Sequence, residues 1–344
     1  MGIIVYNYHS LLSNSFITKR PPSSDFSLHQ VCSFIPPRTQ IIIRTLKMAQ
    51  QSSTQNPIIQ QQKIIISNNN SEKLVGILHE TGSTEIVILC HGFRDSKENN
   101  TMVSLAVALE NEGISAFRFD FAGNGESEGS FQFGNYWREA EDLHAVIQHF
   151  SGANRPISAI LGHSKGGNVV LLYASKYHDV RTVVNVSGRY NLKEGVEDRL
   201  LCKDFIERIK KDGFIDVKNR SGEVDFRVTE ESLMDRLNTN MHEACLKIDK
   251  GCSSLVSIAW LNRFSFSHRD RAWVLTVHGS ADEVIPVKGA LEFAKIIPNH
   301  KLHMVEGADH GYTSHQTESA SVVIPFIKEG LQQGKDISQY SCVQ

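Results

Sequence analysis

The sequence lacks the features that mark membrane proteins, disulfide frameworks and zinc sites. No uninterrupted apolar run approaches the roughly 20 residues of a membrane-spanning helix. The six cysteines are scattered, without a Cys-x-x-Cys pair or the Cys/His spacing of zinc ligands. The helical zinc motif His-Glu-x-x-His is also missing. These absences favour free thiols in a reducing compartment, and they give no support for a metal or another cofactor.

A large excess of charge of one sign is missing as well. The chain of 344 residues has 36 Lys and Arg against 38 Asp and Glu, so its formal net charge is −2. A strong non-specific attraction to nucleic acid or to an anionic membrane surface is therefore not expected. The length suits one large α/β domain with insertions, or two small domains.

Acidic residues are nearly absent from the first 47 residues, where Asp25 is the only one. This segment is rich in Ser and Pro, a composition typical of an organelle transit peptide. The alternative is a leader read in frame ahead of a true start at Met48. Under either interpretation we expect residues 1–62 to form a disordered leader outside the fold. The protein is then expected in the cytoplasm, or in a plastid or mitochondrion if the leader is a transit peptide.

From Lys63 onward, short apolar runs alternate with helical patterns. The runs KIIIS and KLVGILH predict a hairpin, and the apolar run EIVILC (85–90) predicts a strand buried on both faces. Further strands are predicted at ISAFRF (114–119), PISAIL (156–161), TVVNVS (182–187), WVLTVHG (273–279) and KLHMVEG (301–307). The alternation predicts a mostly parallel sheet flanked by helices, built from residues 63–187 and 272–333.

A serine lies between two glycines where a strand gives way to a helix. The stretch GHSKG (162–166) fits the pattern G-x-S-x-G, and it has the strand, tight turn and helix that the pattern requires. Such a turn lifts the Ser164 hydroxyl above the sheet, and Gly162 and Gly166 remove side chains that would collide there. A serine hydroxyl is a poor nucleophile until a base takes its proton, so a histidine and an orienting carboxylate are expected later in the chain.

Asp282 and His310 follow the next two predicted strands in the required order, within SAD (280–282) and ADHG (308–311). Because the carboxyl ends of parallel strands meet at one edge of a sheet, these side chains are expected near Ser164. The sequence therefore predicts a Ser164–His310–Asp282 triad. Asp309 and Glu283 are interpreted as solvated loop residues or local hydrogen-bond partners.

The combination of motifs resembles the α/β-hydrolase superfamily. Within it, the chain is most similar to the branch with cinnamoyl/feruloyl esterase-like, monoacylglycerol-lipase-like and serine-aminopeptidase-like proteins. The resemblance spans about residues 63–330 and rests on LCHGF, RFDFAGNGESEG, GHSKGG, VHGSADEVIP and EGADHGY. It implies an α/β-hydrolase fold with Ser164 as nucleophile, His310 as general base and acid, and Asp282 as its orienter. It also implies an oxyanion hole made by the backbone N–H groups of Phe93 and Lys165.

Most members of this branch have Met or Gln after the serine, so the charge of Lys165 is a departure able to alter the oxyanion field or acyl preference.

Other polar residues near these motifs are interpreted as structural. His91 and His163 are expected to make supporting hydrogen bonds, and Asp120 to tie together the turn that follows it. The stretch GNGESEG does not have the G-x-G-x-x-G spacing of a dinucleotide site, and it is expected to be a turn.

The connection over residues 188–271 is far longer than usual between two strands. We expect it to form a cap over Ser164 that shapes the substrate pocket; a packing appendage is the alternative. Its last part, 253–270, is apolar and is extra relative to the proteins that the chain resembles, which pass almost directly from a KIDKGC-like end into VLTVHG. It is either a real addition to the pocket or, like the leader, an error in the gene model.

The sequence as a whole predicts a serine hydrolase that cleaves carboxylic esters of small molecules through an acyl-enzyme, without a cofactor. Three alternatives stay open: a thioesterase or peptidase with the same triad, a small-molecule receptor on this fold, and a non-catalytic interaction protein. The last is disfavoured because all three triad positions are filled. The substrate and the oligomeric state do not follow from the sequence.

Overall fold

The computed structural model describes residues 60–248 and 272–341. The first 59 residues and the apolar segment 253–270 lie outside the described residues, so the predictions made for them stay predictions. The described part begins with an antiparallel hairpin, strands β1 (Gln60–Ser67) and β2 (Lys73–Glu80), which confirms the predicted hairpin. Residues 60–62, predicted to lie in the disordered leader, belong instead to β1, because they extend its pairing with the end of β2. No helix in the described ranges is long and apolar enough to cross a membrane.

The hairpin joins a large sheet in which the remaining strands run parallel. These strands are β3 (Ile86–Cys90), β4 (Ser115–Phe119), β5 (Ile157–His163), β6 (Thr182–Val186), β9 (Trp273–Gly279) and β10 (His300–Val305). The spatial order is β1-β2-β4-β3-β5-β6-β9-β10, with β2 antiparallel to β4 and each later neighbouring pair parallel. The predicted mostly parallel sheet is confirmed.

Helices cover both faces of this sheet. They are α1 (Asn100–Asn111), α2 (Tyr136–Gly152), α3 (Lys165–Tyr177), α8 (Lys288–Ile296) and α9 (Gln316–Ser341). Strand β3 shows why the central strands are apolar throughout. Ile86, Ile88 and Cys90 pack toward α2 and α3, whereas Val87 and Leu89 pack toward α1 and α9. Both faces of the strand are buried, so every residue in it contributes to the core.

The connection between β6 and β9 forms elements of its own. They are α4 (Val196–Leu200), α5 (Phe205–Asp212), β7 (Phe214–Lys218), β8 (Val224–Thr229), α6 (Glu230–Asn238) and α7 (Met241–Cys245). β7 and β8 pair as an antiparallel hairpin apart from the main sheet. Side chains from α4, α5, α6 and this hairpin share an apolar cluster with Phe93 and Phe133. The connection therefore packs against the loop that follows β3.

Two details of this connection differ from the sequence-based prediction. The hydrophobic pattern over 197–211 predicts one helix, but the structure divides it, because Leu201 has a left-handed backbone (φ 51°) that ends α4. Strand β7 was not predicted. It starts after Gly213, whose φ of 79° ends α5, and it alternates buried Ile215 and Val217 with more exposed residues. Both differences arise at residues with positive φ, which hydrophobic periodicity does not reveal.

Candidate active site

Ser164 lies at the tight turn between β5 and α3, with backbone angles φ 55° and ψ −118°. The turn requires both flanking glycines. A Cβ at Gly162 would lie 2.1 Å from the carbonyl oxygen of Gly166, and a Cβ at Gly166 would lie 2.3 Å from the carbonyl oxygen of Cys90. Both obstacles are backbone, so no side chain can give way. The chain thus holds Ser164 in a strained conformation at the carboxyl edge of the sheet.

His310 contacts both other residues of the predicted triad. Its Nε2 lies 2.9 Å from Ser164 Oγ, and its Nδ1 lies 2.8 Å from Asp282 Oδ2. The structure therefore brings the three side chains together in the order serine, imidazole, carboxylate. A base held between a hydroxyl and a carboxylate can take the hydroxyl proton, while the carboxylate stabilises the resulting imidazolium.

The Asp282 carboxylate is held by the loop that follows it. Its Oδ1 accepts hydrogen bonds from the N–H groups of Val284 (2.9 Å) and Ile285 (2.8 Å), which leaves Oδ2 for His310. Burial opposes ionisation of Asp282, but the hydrogen bonds and charge of its neighbours outweigh this effect and hold its pKa below the usual value. Asp282 is thus an ionised, oriented acceptor.

The other nearby acids lie in local turns. Asp309 Oδ1 accepts the N–H of Thr313 at 2.7 Å. Asp120 accepts the N–H of Lys97 at 2.6 Å and that of Glu126 at 2.9 Å, and it also pairs with Lys97 Nζ at 2.7 Å. These contacts agree with the interpretation of Asp309 and Asp120 as structural residues.

Two buried histidines hold the backbone of the site. His163 donates from Nε2 to the carbonyl oxygen of His310 (2.8 Å), and His278 donates from Nε2 to the carbonyl oxygen of Ile285 (2.9 Å). Burial, assisted by the neighbouring His310, lowers the pKa of His163 to about 4, and burial also lowers the pKa of His278. Both rings are neutral donors near pH 7. His278 was not singled out from the sequence; only its position in VHGSAD, at the end of a buried strand, pointed to it.

A third histidine, His91, holds the loop after β3. Its Nδ1 donates to the carbonyl oxygen of Gly92 at 2.8 Å, and its Nε2 accepts the N–H of Phe121 at 3.1 Å. These two bonds fix one neutral tautomer, and burial lowers the pKa of the ring further. His91 therefore supports the main chain next to Phe93, as the sequence suggested.

The predicted oxyanion-hole residues lie on either side of Ser164. A Cβ at Gly92 would lie 3.2 Å from Ser164 Cβ and 3.7 Å from its Oγ, so the Gly92–Phe93 backbone runs beside the serine. Lys165 is the first residue of α3, where N–H groups have no partner within the helix. Among the described residues, no protein acceptor takes the N–H of Phe93 or of Lys165. Both amides are available to a bound oxygen atom, but their role stays a prediction.

The Lys165 side chain forms a buried ion pair. Its Nζ lies 2.6 Å from Glu139 Oε1 and 5.0 Å from the centroid of the Tyr136 ring. Burial raises the pKa of Glu139 to about 7 in spite of the lysine, and no residue in the described part of the chain hydrogen-bonds to Glu139 Oε2. The sequence suggested that the lysine charge is able to alter the oxyanion field or acyl preference, which stays a prediction. The structure pairs this charge with a carboxylate from α2, a partner that sequence spacing did not reveal.

No group of three or more His, Cys, Asp or Glu side chains within residues 60–248 and 272–341 is arranged to hold a metal ion. A cavity of about 450 Å³ lies between the glycine-rich turn after β4 and the β7–β8 hairpin. Its lining includes Arg94, Phe131 and Phe226, but neither Ser164 nor His310. The cavity therefore neighbours the Phe93 loop without containing the serine.

Comparison with known proteins places these features in a family. The family model described as serine aminopeptidase, S33, matches residues 82–316. No curated protein sequence matches the chain significantly.

Solved structures share the fold at low sequence identity. Est1E from Butyrivibrio proteoclasticus, with ferulic acid bound, is 21% identical with a TM-score of 0.64, and the match covers 78% of this chain and 99% of that one. The α/β hydrolase GrgF from Penicillium sp. sh18 is 18% identical with a TM-score of 0.61, covering 79% and 99%. The esterase Pf2001 from Pyrococcus furiosus is 19% identical with a TM-score of 0.56, covering 79% and 90%. The predicted α/β-hydrolase fold is confirmed.

Proposed function

Because the chain belongs to the serine aminopeptidase S33 family of α/β-hydrolases, we propose that it is a serine hydrolase that cleaves carboxylic esters of small molecules. The observation that carries the proposal is the position of His310, 2.9 Å from Ser164 Oγ and 2.8 Å from Asp282 Oδ2. A buried carboxylate, an imidazole and a strained serine in this order form the machinery of nucleophilic acyl transfer.

In the first half of the reaction, His310 Nε2 takes the proton of Ser164 while Oγ attacks the ester carbonyl carbon. The carbonyl oxygen becomes an oxyanion, which the N–H groups of Phe93 and Lys165 stabilise together with the N-terminal end of α3. The protonated His310 then gives its proton to the alkoxide, and the alcohol leaves. Asp282 holds the imidazole in the required tautomer throughout.

In the second half, His310 takes a proton from water as the water attacks the acyl-enzyme. The second oxyanion uses the same two amides, and its collapse releases the acid and restores Ser164. His163 and His278 hold the main chain of His310 and of Ile285, so the imidazole and its carboxylate keep their positions while protons move. Each bond made or broken in both halves involves only these side chains, substrate and water.

The connection over 188–271 acts as a cap in this proposal and sets substrate choice. The support is its packing: α4, α5, α6 and the β7–β8 hairpin share an apolar cluster with Phe93, and Arg94 forms a bidentate ion pair with Asp225 of β8. An oxyanion-hole residue is thus in direct contact with the cap. The described part of the core, within 63–187 and 272–333, carries the catalytic side chains, and the cap shapes the substrate pocket.

Amide or thioester cleavage is the second candidate, because the family description is that of an aminopeptidase. Ester cleavage is preferred because Pf2001 is named an esterase, Est1E is described with ferulic acid bound, and the sequence motifs resemble an esterase-containing branch. Oxygen esters, thioesters and aminoacyl anilides with the same acyl group distinguish these activities. A receptor on this fold would bind ligand with little turnover.

The proposal is tested with purified protein, a fluorophosphonate probe and a panel of short-chain 4-nitrophenyl esters. Wild-type protein is expected to become labelled and to hydrolyse esters, and Ser164→Ala is expected to lose labelling and about 10⁴-fold or more of kcat. The substitution removes one hydroxyl, so its melting temperature serves as a control for folding. A folded Ser164→Ala protein with near-wild-type turnover would overturn the proposal.

A further inference from the structure

Arg199 carries a guanidinium group without an acid partner next to the candidate site. It lies on α4, and its Cζ is 4.1 Å from the centroid of the Phe93 ring. Among the described residues, no hydrogen-bond acceptor or carboxylate contacts this guanidinium; Phe93 is its contact. Burial first, and then the positive charge of Arg236, lower its pKa to about 10. The guanidinium is half-buried, and its donors make no hydrogen bond to a described residue, so they are available to a bound group.

The neighbouring arginines do not relieve this charge. Arg236 is buried and donates to the carbonyl oxygen of Leu192 (2.9 Å) and the hydroxyl of Tyr136 (3.1 Å). Arg189 donates to the carbonyl oxygen of Val284 at 2.6 Å. Both bind neutral acceptors, so these contacts supply no negative charge. Arg236 and Arg189 therefore repel Arg199, and the potential around it is positive.

Two other cations near Ser164 are paired with acids of the protein. Lys165 is paired with Glu139, and Arg94 is paired with Asp225. Glu197 and Asp198, which share α4 with Arg199, are exposed, and no ion pair joins either of them to it. The positive charge of Arg199 is thus left for a group that is not part of the described chain.

The Arg199 guanidinium lies close to the residues that are proposed to carry out the reaction. Arg199 stacks on the side chain of Phe93, whose own N–H is a candidate oxyanion donor and whose preceding residue runs beside Ser164. A group bound by Arg199 would lie over Phe93, on the cap side of the serine. A guanidinium binds a carboxylate through two parallel hydrogen bonds, a geometry that also fixes the orientation of the bound molecule.

We propose that Arg199 binds a carboxylate of the substrate, so that this enzyme prefers esters bearing a negative charge. The inference rests on the proposed ester hydrolysis at Ser164 and specifies its substrate class. Arg236 and Arg189 direct their donors to the protein and act through their field, which strengthens the attraction for an anion. One guanidinium with free donors matches one planar carboxylate.

The test uses esters that differ only in charge. One pair places the charge on the acyl side: 4-nitrophenyl hemisuccinate against the isosteric 4-nitrophenyl 4-methylpentanoate. A second pair places it on the alcohol side: 4-acetoxybenzoate against 4-acetoxytoluene. For wild-type protein, kcat/KM is expected to favour the carboxylate ester of at least one pair by about tenfold or more. Equal or lower kcat/KM for the carboxylate ester in both pairs would overturn the inference.

Variants then assign the preference to Arg199. In Arg199→Gln, the ratio of kcat/KM between the charged and the neutral ester is expected to fall about tenfold or more, and Arg199→Lys is expected to keep part of the ratio. Arg208→Gln, an exposed arginine of α5, is the matched control. If Arg199 serves only to hold α4 against Phe93, both esters slow together and the ratio is unchanged, which would contradict the inference. Failure of the proposed function is a different result: no ester of either pair is hydrolysed in a Ser164-dependent way.

Discussion

His163 donates its ring N–H to the main-chain carbonyl of His310, so the residue before the serine holds the backbone of the residue that contacts the serine. The bond is 2.8 Å long, and the two rings lie with their centroids 4.9 Å apart. Burial keeps His163 neutral, with a pKa of about 4, so it remains a donor from one ring nitrogen over the physiological range. A hydrogen bond that involves no triad side chain therefore fixes the position of His310 relative to Ser164.

Replacing His163 tests this arrangement. In His163→Phe the carbonyl of His310 loses its buried donor while the volume of the ring is kept, so kcat is expected to fall about tenfold or more with little change in KM. His163→Gln, whose amide can donate in a similar position, is expected to recover part of kcat. The measurement is steady-state kinetics on a good ester substrate. Equal loss in both variants would show that the ring fills space and that its hydrogen bond does not position His310.

Asp282 is expected to be the carboxylate that orients His310. Asp282→Asn keeps the size of the side chain but removes the negative acceptor, so kcat is expected to fall about 10⁴-fold while the fold is retained. Asp309→Asn is the matched control, because Asp309 hydrogen-bonds to Thr313 in the same loop as His310. Turnover is measured beside a melting curve for each variant. If Asp309→Asn loses more activity than Asp282→Asn, the assignment of the orienting acid is wrong.

The buried Glu139–Lys165 pair predicts a pH dependence of stability. The folded-state pKa of Glu139 is about 7, above its ordinary value of 4.5, so between these values the folded protein keeps a proton that the unfolded chain has released. The contribution of Glu139 is therefore present in full below about pH 4.5 and decreases as the pH rises toward 7. His163 and His300, both with a pKa of about 4, change stability in the opposite direction over this range.

A neutral replacement of the pair isolates its contribution. In the double variant Glu139→Gln with Lys165→Met, the histidine contributions remain and the glutamate contribution is gone. The free energy of unfolding of the variant, relative to wild type, is expected to rise between pH 5 and pH 8, as measured by urea denaturation at each pH. Parallel pH profiles for the two proteins would contradict the elevated pKa of Glu139.

The glycine after Lys165 tolerates no side chain. In Gly166→Ala the new Cβ would meet the carbonyl oxygens of Cys90 and His91 at 2.3 and 2.5 Å, both on the backbone of β3 and its loop. The substitution is expected to cost several kcal/mol or to displace the oxyanion loop, with a large loss of activity. Gly152→Ala, at the end of α2 where nothing lies within 4 Å, is the control and is expected to be neutral or stabilising. A fully active, equally stable Gly166→Ala protein would contradict the close contact.

The positions of Ser164, Asp282 and His310 could be predicted from sequence because each follows a strand whose composition is visible locally. Strand runs, turn glycines and chain order together place the three residues at one edge of a parallel sheet. The pairing of Lys165 with Glu139 could not be predicted, because it joins α3 to α2 through their packing and leaves no trace in either local pattern. His278 could not be predicted either, because in the sequence it looks like any other residue of a buried strand. Nor could the lack of an acid partner for Arg199 among the described residues, because it depends on which residues surround Arg199 in the folded protein.

The contact between Ser164 and His310 joins residues that are 146 positions apart in the chain. Contacts of such separation close late, because much chain entropy must be lost before they form. Ser164 lies between β5 and α3, and β5 pairs with β3 and β6 in the middle of the sheet, whereas His310 follows β10, the strand at the edge of the sheet. A chain emerging from the ribosome therefore carries an inert serine until the final strands have docked. Turnover requires that the whole sheet has formed. During refolding, activity is therefore expected to recover after native secondary structure, and never before it.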